Sequence, residues 1–192
     1  MQYRIGDIIR LKDRTKYNIT RLDDGKCSLF IVIDVNHENT INTIDLQTLN
    51  NGIIRQPFDL NTNIYKDSSI RKYLNKEYYE GFMDVAKRLM LPMNVKSNGD
   101  ILEDKVKLIS MAEMGLYQYR INGKILYDCD EGDRYSLYRH MIHDRGPECV
   151  AQMTRSSYCD KSVWRIGDIG DIIYLDIKYD RYAAPIIRLG KQ

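Results

Sequence analysis

The chain of 192 residues contains no long apolar run and no export signal. The longest apolar run in its first third, Leu29 to Ile33, is far shorter than the roughly 18 residues that a membrane span requires. The first residues, Met1 to Asp7, have neither the apolar segment nor the cleavage site of a secretory signal. We therefore expect a protein that stays in the cytoplasm and does not enter a membrane.

Cysteine and net charge are also low, and each excludes a class of protein. The four cysteines, Cys27, Cys129, Cys149 and Cys159, are too few and too scattered for a disulfide scaffold, so we expect reduced thiols. The 29 Lys and Arg nearly balance the 27 Asp and Glu, and the net charge of +2 argues against a strong field for nucleic acids or membrane surfaces.

Phenylalanine and tryptophan are scarce, whereas tyrosine is abundant: the chain has 3 Phe, 1 Trp and 15 Tyr. Tyrosine combines apolar area with a polar tip, so it suits both small cores and binding surfaces. The length is that of about one domain, and no linker-like stretch divides the chain. We therefore predict a single domain over residues 1–192.

Residues 1–64 predict a β-meander. The segment Leu29 to Ile33 has the length and the β-branched and aromatic composition of a strand. Ile44 and Leu46 follow at alternate positions. The pair Asn51-Gly52 fits a tight turn, after which residues 53–55 would return as the next strand.

Residues 66–90 predict a helical pair, because the apolar spacing changes to that of a helix. Asp67 or Ser68 can cap the first helix, which would end at Asn75. The second helix would stop before Pro92. The apolar positions of the two helices are Ile70, Tyr73, Leu74, Tyr78, Tyr79, Phe82 and Val85.

Residues 104–192 predict strands that are interrupted by a long irregular loop at residues 128–161. Ser110 and Glu113 have the spacing of a capping box, which would start a short helix. Asn122-Gly123 is a strong hairpin signal. The loop contains Gly132, Gly146, Pro147 and many charged residues, with one helical turn at residues 135–142. Loops of this length in compact domains are usually functional or mobile.

Four segments of the chain resemble the motifs of one domain family. Residues 67–75, DSSIRKYLN, followed by Phe82, are similar to S-x-[IL]-R-x-[WY]-L-N … F, and residues 104–113, DKVKLISMAE, are similar to D-K-V-x-L-[LI]-S-x-x-E. Residues 163–165, VWR, resemble W-[WL]-R, and residues 184–189, APIIRL, resemble V-R-P-A-[LI]. Ala184 stands where this family has Arg. The family is uncharacterised and occurs in Firmicute genomes and their bacteriophages.

This resemblance covers about residues 28–190 and implies an α+β fold. The implied fold is C-type-lectin-like and akin to sulfatase-modifying factors, with mixed or antiparallel β-sheets, two or three short helices and a long irregular loop region. The resemblance also implies a phage- or prophage-encoded product, located in the host cytoplasm or in the virion. It assigns no catalytic residue.

Two groups of potential metal ligands lie in or near the loop. The first is Cys129, His140, His143, Cys149 and Cys159. The second is Asp128, Asp130, Glu131 and Asp133. The first group lacks Cys-x-x-Cys pairs, and the second lacks the order of an EF-hand loop, which favours a solvated acidic turn. We therefore expect no cofactor, although a zinc site at the first group stays open.

Catalytic patterns are absent from the sequence as well. Cys149 lies six residues from His143, but nothing in the sequence orients that histidine as a base. Cys149 and Cys159 are too far apart for the paired cysteines that the copper chemistry of formylglycine-generating relatives requires. No glycine-rich phosphate loop occurs. We predict that the chain is not an enzyme, with a metal-dependent enzyme as an alternative.

Aromatic and arginine side chains are concentrated in the loop, and these types dominate the hot spots of protein interfaces. The predicted function is that of a non-catalytic protein-binding module, either an inhibitor of a host-defence protein or a virion or tail component. A homo-oligomer, a carbohydrate-binding domain and a nucleic-acid-binding domain are alternatives. The candidate contact residues are Tyr135, Tyr138, Arg139, His140, His143, Arg145, Arg155 and Tyr158.

Overall fold

The structure, a computed structural model, describes residues 3–12, 27–39, 41–49, 54–116, 118–121, 124–128, 131–141, 152–166 and 172–190. Throughout these ranges the paired strands run antiparallel, and the helices are short. This mixed architecture is the α+β class that the sequence predicts. That the chain forms one domain stays a prediction.

The described elements follow one another along the chain as short strands and three α-helices. The strands are β1 (Ile8–Lys12), β2 (Cys27–Val35), β3 (Thr43–Thr48), β4 (Ile54–Gln56), β5 (Met90–Leu91), β6 (Met93–Ser97), β7 (Asp100–Asp104), β8 (Val106–Lys107), β9 (Gln118–Ile121), β10 (Lys124–Asp128), β11 (Gln152–Cys159), β12 (Ser162–Ile166), β13 (Ile172–Asp176), β14 (Arg181–Ala183) and β15 (Ile186–Gly190). The helices are α1 (Ser69–Tyr73), α2 (Asp84–Leu89) and α3 (Ser136–Met141).

The largest sheet has six strands, in which β1, β2, β3 and β15 lie side by side. The short strands β5 and β8 follow one another along the far edge of β15. Leu46 of β3 faces Ile187 of β15, and both side chains are fully buried. The predicted meander is confirmed for β1 to β3, since each of these strands pairs with the next. The last strand of the chain thus completes the sheet that the first strands begin.

The predicted hairpin at Asn51-Gly52 is wrong in its pairing. Strand β4 pairs with β14, with Ile54 facing Ala183, and does not return beside β3. Both edges of β3 are already occupied, one by β2 and the other by β15. The turn residues themselves lie outside the described ranges. By contrast, β9 and β10 pair as the hairpin predicted around Asn122-Gly123.

The helical pair begins and ends close to its predicted limits, but Asn75 does not end the first helix. Ser68 caps α1, since its Oγ accepts a hydrogen bond from the Arg71 N–H at 3.3 Å. A π-helical turn, Leu74–Tyr78, then continues the helix through Asn75. Helix α2 ends at Leu89, before Pro92, as the sequence predicts.

The segment predicted as a long irregular loop contains regular structure. Helix α3 confirms the predicted helical turn. The eight residues of β11 form a strand, so the prediction of irregular structure is wrong for them. The consecutive polar residues Thr154, Arg155 and Ser156 are all fully or nearly fully buried, so both sides of this part of the strand are covered. A strand that buries charged and hydroxyl groups lacks the apolar alternation by which strands are recognised.

The small sheet formed by β11, β12 and β13 lies between two apolar clusters. Val163 and Leu175 face each other across β12 and β13 and belong to the first cluster, with Phe30, Leu46 and Ile187. Trp164 and Ile166 belong to the second cluster, with Ile33, Met93 and Tyr135. Among the described residues, no helix is long and apolar enough to cross a membrane.

Candidate partner-binding surface

Three of the predicted contact residues lie in the interior. Tyr135, Tyr138 and Arg155 are each at most 5% exposed, so the prediction that they form a contact surface is wrong for the folded chain. Arg139 and His140 lie on α3, but their side chains fall outside the described part, as do all atoms of His143 and Arg145. Tyr158 reaches solvent, with 37% of its surface exposed.

Arg155 belongs to a buried ionic cluster with Lys107, Glu113 and Glu131. Its Nη1 donates to Glu113 Oε2 and to the carbonyl of Leu108, both at 2.6 Å, and its Nη2 donates to the carbonyl of Glu131. Lys107 Nζ donates to the other carboxylate oxygen of Glu113, also at 2.6 Å. A buried guanidinium with this set of acceptors joins β11 to β8 and to the segments around both glutamates, so its role is to hold the fold.

The two carboxylates of the buried ionic cluster differ in pKa. Burial raises the pKa of Glu113, but the charges of Arg155 and Lys107 outweigh it and lower the pKa to about 2. Burial raises the pKa of Glu131, and Arg155 only partly opposes that rise. Glu113 is therefore the anion that neutralises both buried cations.

Glu113 is positioned by the predicted capping box. The N–H of Glu113 donates to Ser110 Oγ and the N–H of Ser110 donates to Glu113 Oε2, both at 3.0 Å. The expected helix is only one turn long, because Gly115 ends it with a φ of +80°. The Leu116 N–H then donates to the carbonyl of Met111 at 2.8 Å, which completes a Schellman cap.

Glu131 was a candidate calcium ligand, for which a solvated acidic turn was the favoured interpretation, and the solvated turn is wrong for this residue. It is 7% exposed, and its Oε2 accepts a hydrogen bond from Ser156 Oγ. Ser156 Oγ in turn accepts from the N–H of Met111 at 2.9 Å. These contacts fasten β11 to the turn that carries Glu113.

Tyr135 and helix α3, which begins at the next residue, are held at the end of β2 by side-chain contacts. The Tyr135 ring stacks on His37 with ring centroids 4.1 Å apart. Asp34 contacts His37 Nδ1 at 3.0 Å and accepts from the N–H of Ser136 at 2.8 Å, the first residue of α3. Burial raises the pKa of Asp34, but hydrogen bonds from His37 and Ser136 outweigh it and lower the pKa.

Tyr138 is held by the main sheet. Its hydroxyl donates to Gln47 Oε1, and Gln47 Nε2 donates to Gln152 Oε1 at 2.8 Å. This chain of side chains links α3, β3 and β11. A tyrosine with these contacts fills the interior and is not available to a partner.

The two most specific sequence motifs hold each other together. Arg71 of the first motif binds the carboxylate of Asp104 in the second through Nε and Nη2, at 2.7 to 3.0 Å. Asn75 Oδ1 accepts from the N–H groups of Lys105 at 2.8 Å and Val106 at 3.1 Å. Asn75 Nδ2 also donates to the Val106 carbonyl at 2.8 Å. These motif residues join the helical pair to β8 and serve the fold.

An aromatic face remains exposed on the sheet of β11, β12 and β13, formed by Tyr158, Trp164 and Tyr174. Tyr174 faces Trp164 across β12 and β13, so both side chains lie on the same side of the sheet. The rings of Tyr158 and Tyr174 stack with centroids 4.7 Å apart, and Tyr158 meets Trp164 edge-on at 4.5 Å. Trp164 is buried, whereas Tyr174 is 62% exposed.

The aromatic face extends from the second apolar cluster to the solvent: Trp164 belongs to that cluster, whereas Tyr158 and Tyr174 reach the solvent. Sequence reasoning identified Tyr158 but missed Tyr174, which it placed in a strand without a role. The sequence offered no signal for Tyr174, because only the fold shows that its neighbour Leu175 is buried and that Tyr174 therefore lies on the opposite side of the sheet.

The metal-site hypotheses find no support in the described residues. Among them, no three His, Cys, Asp or Glu side chains are placed to hold a metal ion together. Cys159 is a free, exposed thiol. Cys129, His143 and Cys149 lie outside the described part, and of His140 only the backbone position on α3 is described.

Residues 46–186 match the model of a family described as "Domain of unknown function (DUF6273)". The chain belongs to the DUF6273 family. The match runs from β3 to the first residue of β15, so this DUF6273 domain includes the joined motifs, the buried ionic cluster and the aromatic face. No curated protein and no solved structure matches the chain.

Proposed function

We propose that this DUF6273 domain is a non-catalytic protein-binding module whose contact surface is the aromatic face. The observation that carries the proposal is the stack of Tyr158 and Tyr174 over the buried Trp164. Tyrosine rings fixed against a core lose little rotamer freedom on binding and offer both apolar area and a hydroxyl, which is why they are enriched at hot spots.

The kind of partner follows from the motif resemblance. We propose a phage- or prophage-encoded product that acts in the host cytoplasm as an inhibitor of a host-defence protein, or in the virion as a structural or tail component. The proposal includes a C-type-lectin-like arrangement of the sheets and helices. The antiparallel sheets, the short helices and the closing strand β15 beside β3 are compatible with that arrangement.

Affinity capture with matched variants tests the binding function. The wild-type domain and the double variant Tyr158→Ala/Tyr174→Ala are used to capture proteins from infected or defence-carrying host cells, followed by mass spectrometry. Tyr182→Ala is the control, because Tyr182 is also an exposed tyrosine but lies on β14. We expect a protein that wild type and Tyr182→Ala capture and the double variant does not.

The captured protein is then purified and titrated against all three forms. A loss of affinity of at least tenfold in the double variant alone, with a melting temperature no more than about 4 °C below that of wild type, supports the proposal. Equal affinity for all three forms would place the contact elsewhere on the domain. Turnover of a small-molecule substrate by the purified domain would contradict the non-catalytic function.

Carbohydrate binding is the second candidate, favoured by one observation. The exposed ring of Tyr174 offers a flat apolar face of the kind on which sugar rings stack. A glycan array probed with wild type and Tyr174→Ala distinguishes the two candidates, since only a carbohydrate-binding domain would give signals that the substitution removes.

A further inference from the structure

Strand β13 lies at the edge of the small sheet and carries Tyr174 of the aromatic face. We propose that the partner binds this edge as an extended polypeptide segment, which adds a strand beside β13 and places an apolar or aromatic side chain against the aromatic face. The inference rests on the proposed function and specifies how the domain recognises its partner.

The register shows which peptide groups of β13 point outward. In an antiparallel ladder, alternate residues exchange hydrogen bonds with the neighbouring strand, and the residues between them point their N–H and C=O the other way. The Ile177 N–H donates to the Lys161 carbonyl at 3.1 Å, just beyond the end of β13. Counting back in twos along β13 makes Leu175 and Ile173 the residues bonded to β12.

A contact on the other side of β12 agrees with this assignment. The Trp164 carbonyl accepts a hydrogen bond from Thr154 Oγ1 of β11 at 2.8 Å, so the peptide groups of Trp164 point towards β11. Its partner in the register is Tyr174. The N–H and C=O of Tyr174, and those of Ile172 two residues earlier, therefore point away from β12 into the open edge.

Nothing in the described ranges pairs with that edge. Within them, β13 has β12 as its sole strand neighbour, and outside the ladder with β12 the peptide groups of Ile172 and Tyr174 make no backbone hydrogen bond to another described residue. Further along, the Asp176 carbonyl accepts from the Tyr179 N–H at 3.3 Å, which closes the end of the edge by a turn. The open part thus centres on Tyr174.

The composition of β13 is typical of a strand that has a neighbouring strand on each side. Its sequence, IIYLD, has four apolar or aromatic residues, no Lys or Pro, and one charged residue, Asp176, at its end, two residues beyond Tyr174. Folded proteins usually guard their exposed edges with charges, prolines or bulges. Other edge strands of this chain follow that rule: β1, IIRLK, contains two basic residues, and β7, DILED, contains three acidic ones. The edge at Tyr174 is unguarded.

The size of the edge favours a peptide segment over a second copy of this chain. A five-residue strand is about 17 Å long, and two such strands paired about a two-fold axis bury far less than the roughly 1,200 Å² of a stable interface. A peptide that adds to a sheet edge gains affinity from main-chain hydrogen bonds and specificity from alternate side chains. The aromatic face supplies the contact for those side chains.

Two substitutions at one position test the mode of binding. Tyr174→Pro removes the outward N–H, and proline is tolerated on an edge strand where the N–H faces outward. Tyr174→Ala removes the ring but keeps the N–H, so it is the matched control. Circular dichroism and the melting temperature check that both variants fold as wild type does.

The probe is a peptide selected on the wild-type domain from a displayed library of random twelve-residue sequences. It is resynthesised in three forms: unmodified, N-methylated at odd positions and N-methylated at even positions. N-methylation removes the amide donors without changing the side chains, so it leaves a purely side-chain contact largely intact. Affinities are measured by fluorescence polarisation.

We expect one of the two N-methylated peptides to bind at least tenfold more weakly than the unmodified peptide. We also expect the unmodified peptide to bind Tyr174→Pro more weakly than Tyr174→Ala. Equal binding of all three peptides, or a library that yields no peptide at all, would overturn the inference. The capture experiment with Tyr158→Ala/Tyr174→Ala would still decide the proposed function. A concentration-dependent dimer in sedimentation equilibrium that Tyr174→Pro abolishes would identify a second copy as the occupant and overturn the inference.

Discussion

Strand β11 has a buried end, which includes Arg155, and an exposed end, which includes Tyr158, although both residues are of types that are frequent at interfaces. Arg155 is buried and holds Glu113 and the Leu108 carbonyl, whereas Tyr158, three residues later, stacks on Tyr174 at the surface. An abundance of tyrosine and arginine in a segment therefore does not identify a binding surface. What separates the two ends is whether partners from distant parts of the chain satisfy the side chain.

Replacing Arg155 should lower the free energy of unfolding more than any other substitution proposed in β11. Arg155→Met removes the guanidinium but keeps much of the volume, which takes one donor from Glu113 Oε2 and one from each of the Leu108 and Glu131 carbonyls and leaves Lys107 as the remaining buried cation beside Glu113. Removing one partner of a buried ion pair costs about 3–5 kcal/mol, and we expect a loss of this size in the free energy of unfolding by urea.

Tyr158→Ala, at the other end of the same strand, is the matched variant for that measurement. A loss below about 1 kcal/mol in Arg155→Met would show that the buried ionic cluster contributes little and that the comparison between the two ends is mistaken.

The pH dependence of stability tests the same cluster through Glu113. Its pKa of about 2 in the folded chain lies below the ordinary value of 4.5, so its contribution to stability is present above pH 4.5 and is lost as the pH falls towards 2. A lowering of the pKa of this size corresponds to a contribution of about 3 kcal/mol to the free energy of unfolding. We expect the unfolding free energies of wild type and Glu113→Gln to differ at pH 7 and to converge as the pH approaches 2.

Glu131 is the contrasting carboxylate, because its pKa is raised in the folded chain. The stability that its protonated form provides is present below its ordinary pKa and is lost as the pH rises through the raised pKa, so Glu131→Gln should not reproduce the convergence at low pH. Should Glu113→Gln fail to fold at pH 7, the carboxyl carbon of Glu113 in wild type can be followed by NMR. A titration midpoint above pH 4 would contradict the assignment.

The joined motifs should behave like the buried end of β11. Asn75→Ala removes the acceptor for two backbone N–H groups, those of Lys105 and Val106. An unsatisfied part-buried donor costs about 1–3 kcal/mol, and we expect a loss of about 2 kcal/mol in urea unfolding. Asn94→Ala, an exposed asparagine on β6, is the control. Equal stability of the two variants would show that the hydrogen bonds accepted by Asn75 contribute little to the stability of the fold.

Elements whose partners lie nearby in the chain could be predicted from the sequence, and those fixed by distant partners could not. The Ser68 cap, the Ser110–Glu113 capping box and the β9–β10 hairpin depend on neighbours within a few residues. Strand β4 and the inward direction of Arg155 depend on β14 and Glu113, which no local pattern reveals.

The candidate surface, too, could be predicted from the sequence only in part. Tyr158 was predicted as a contact residue, but so were three side chains that the fold buries. Exposure depends on which side of a sheet a residue occupies, and in β11 irregular pairing with β12 obscures the alternation. Tyr174 becomes recognisable only when its register with Trp164 is known.

The exposed end of β11 should give the smallest effect on stability and the largest on binding. Tyr158→Ala removes one stacked and one edge-on ring contact at the surface, and such pairs contribute about 0.5–1.5 kcal/mol each at most. Because Tyr158 and Tyr174 are partly solvated, we expect a loss below about 1 kcal/mol, together with at least a tenfold loss of partner affinity. A variant that instead loses as much stability as Arg155→Met would show that the aromatic face belongs to the core, and the contrast between the two ends of β11 would no longer mark a binding surface.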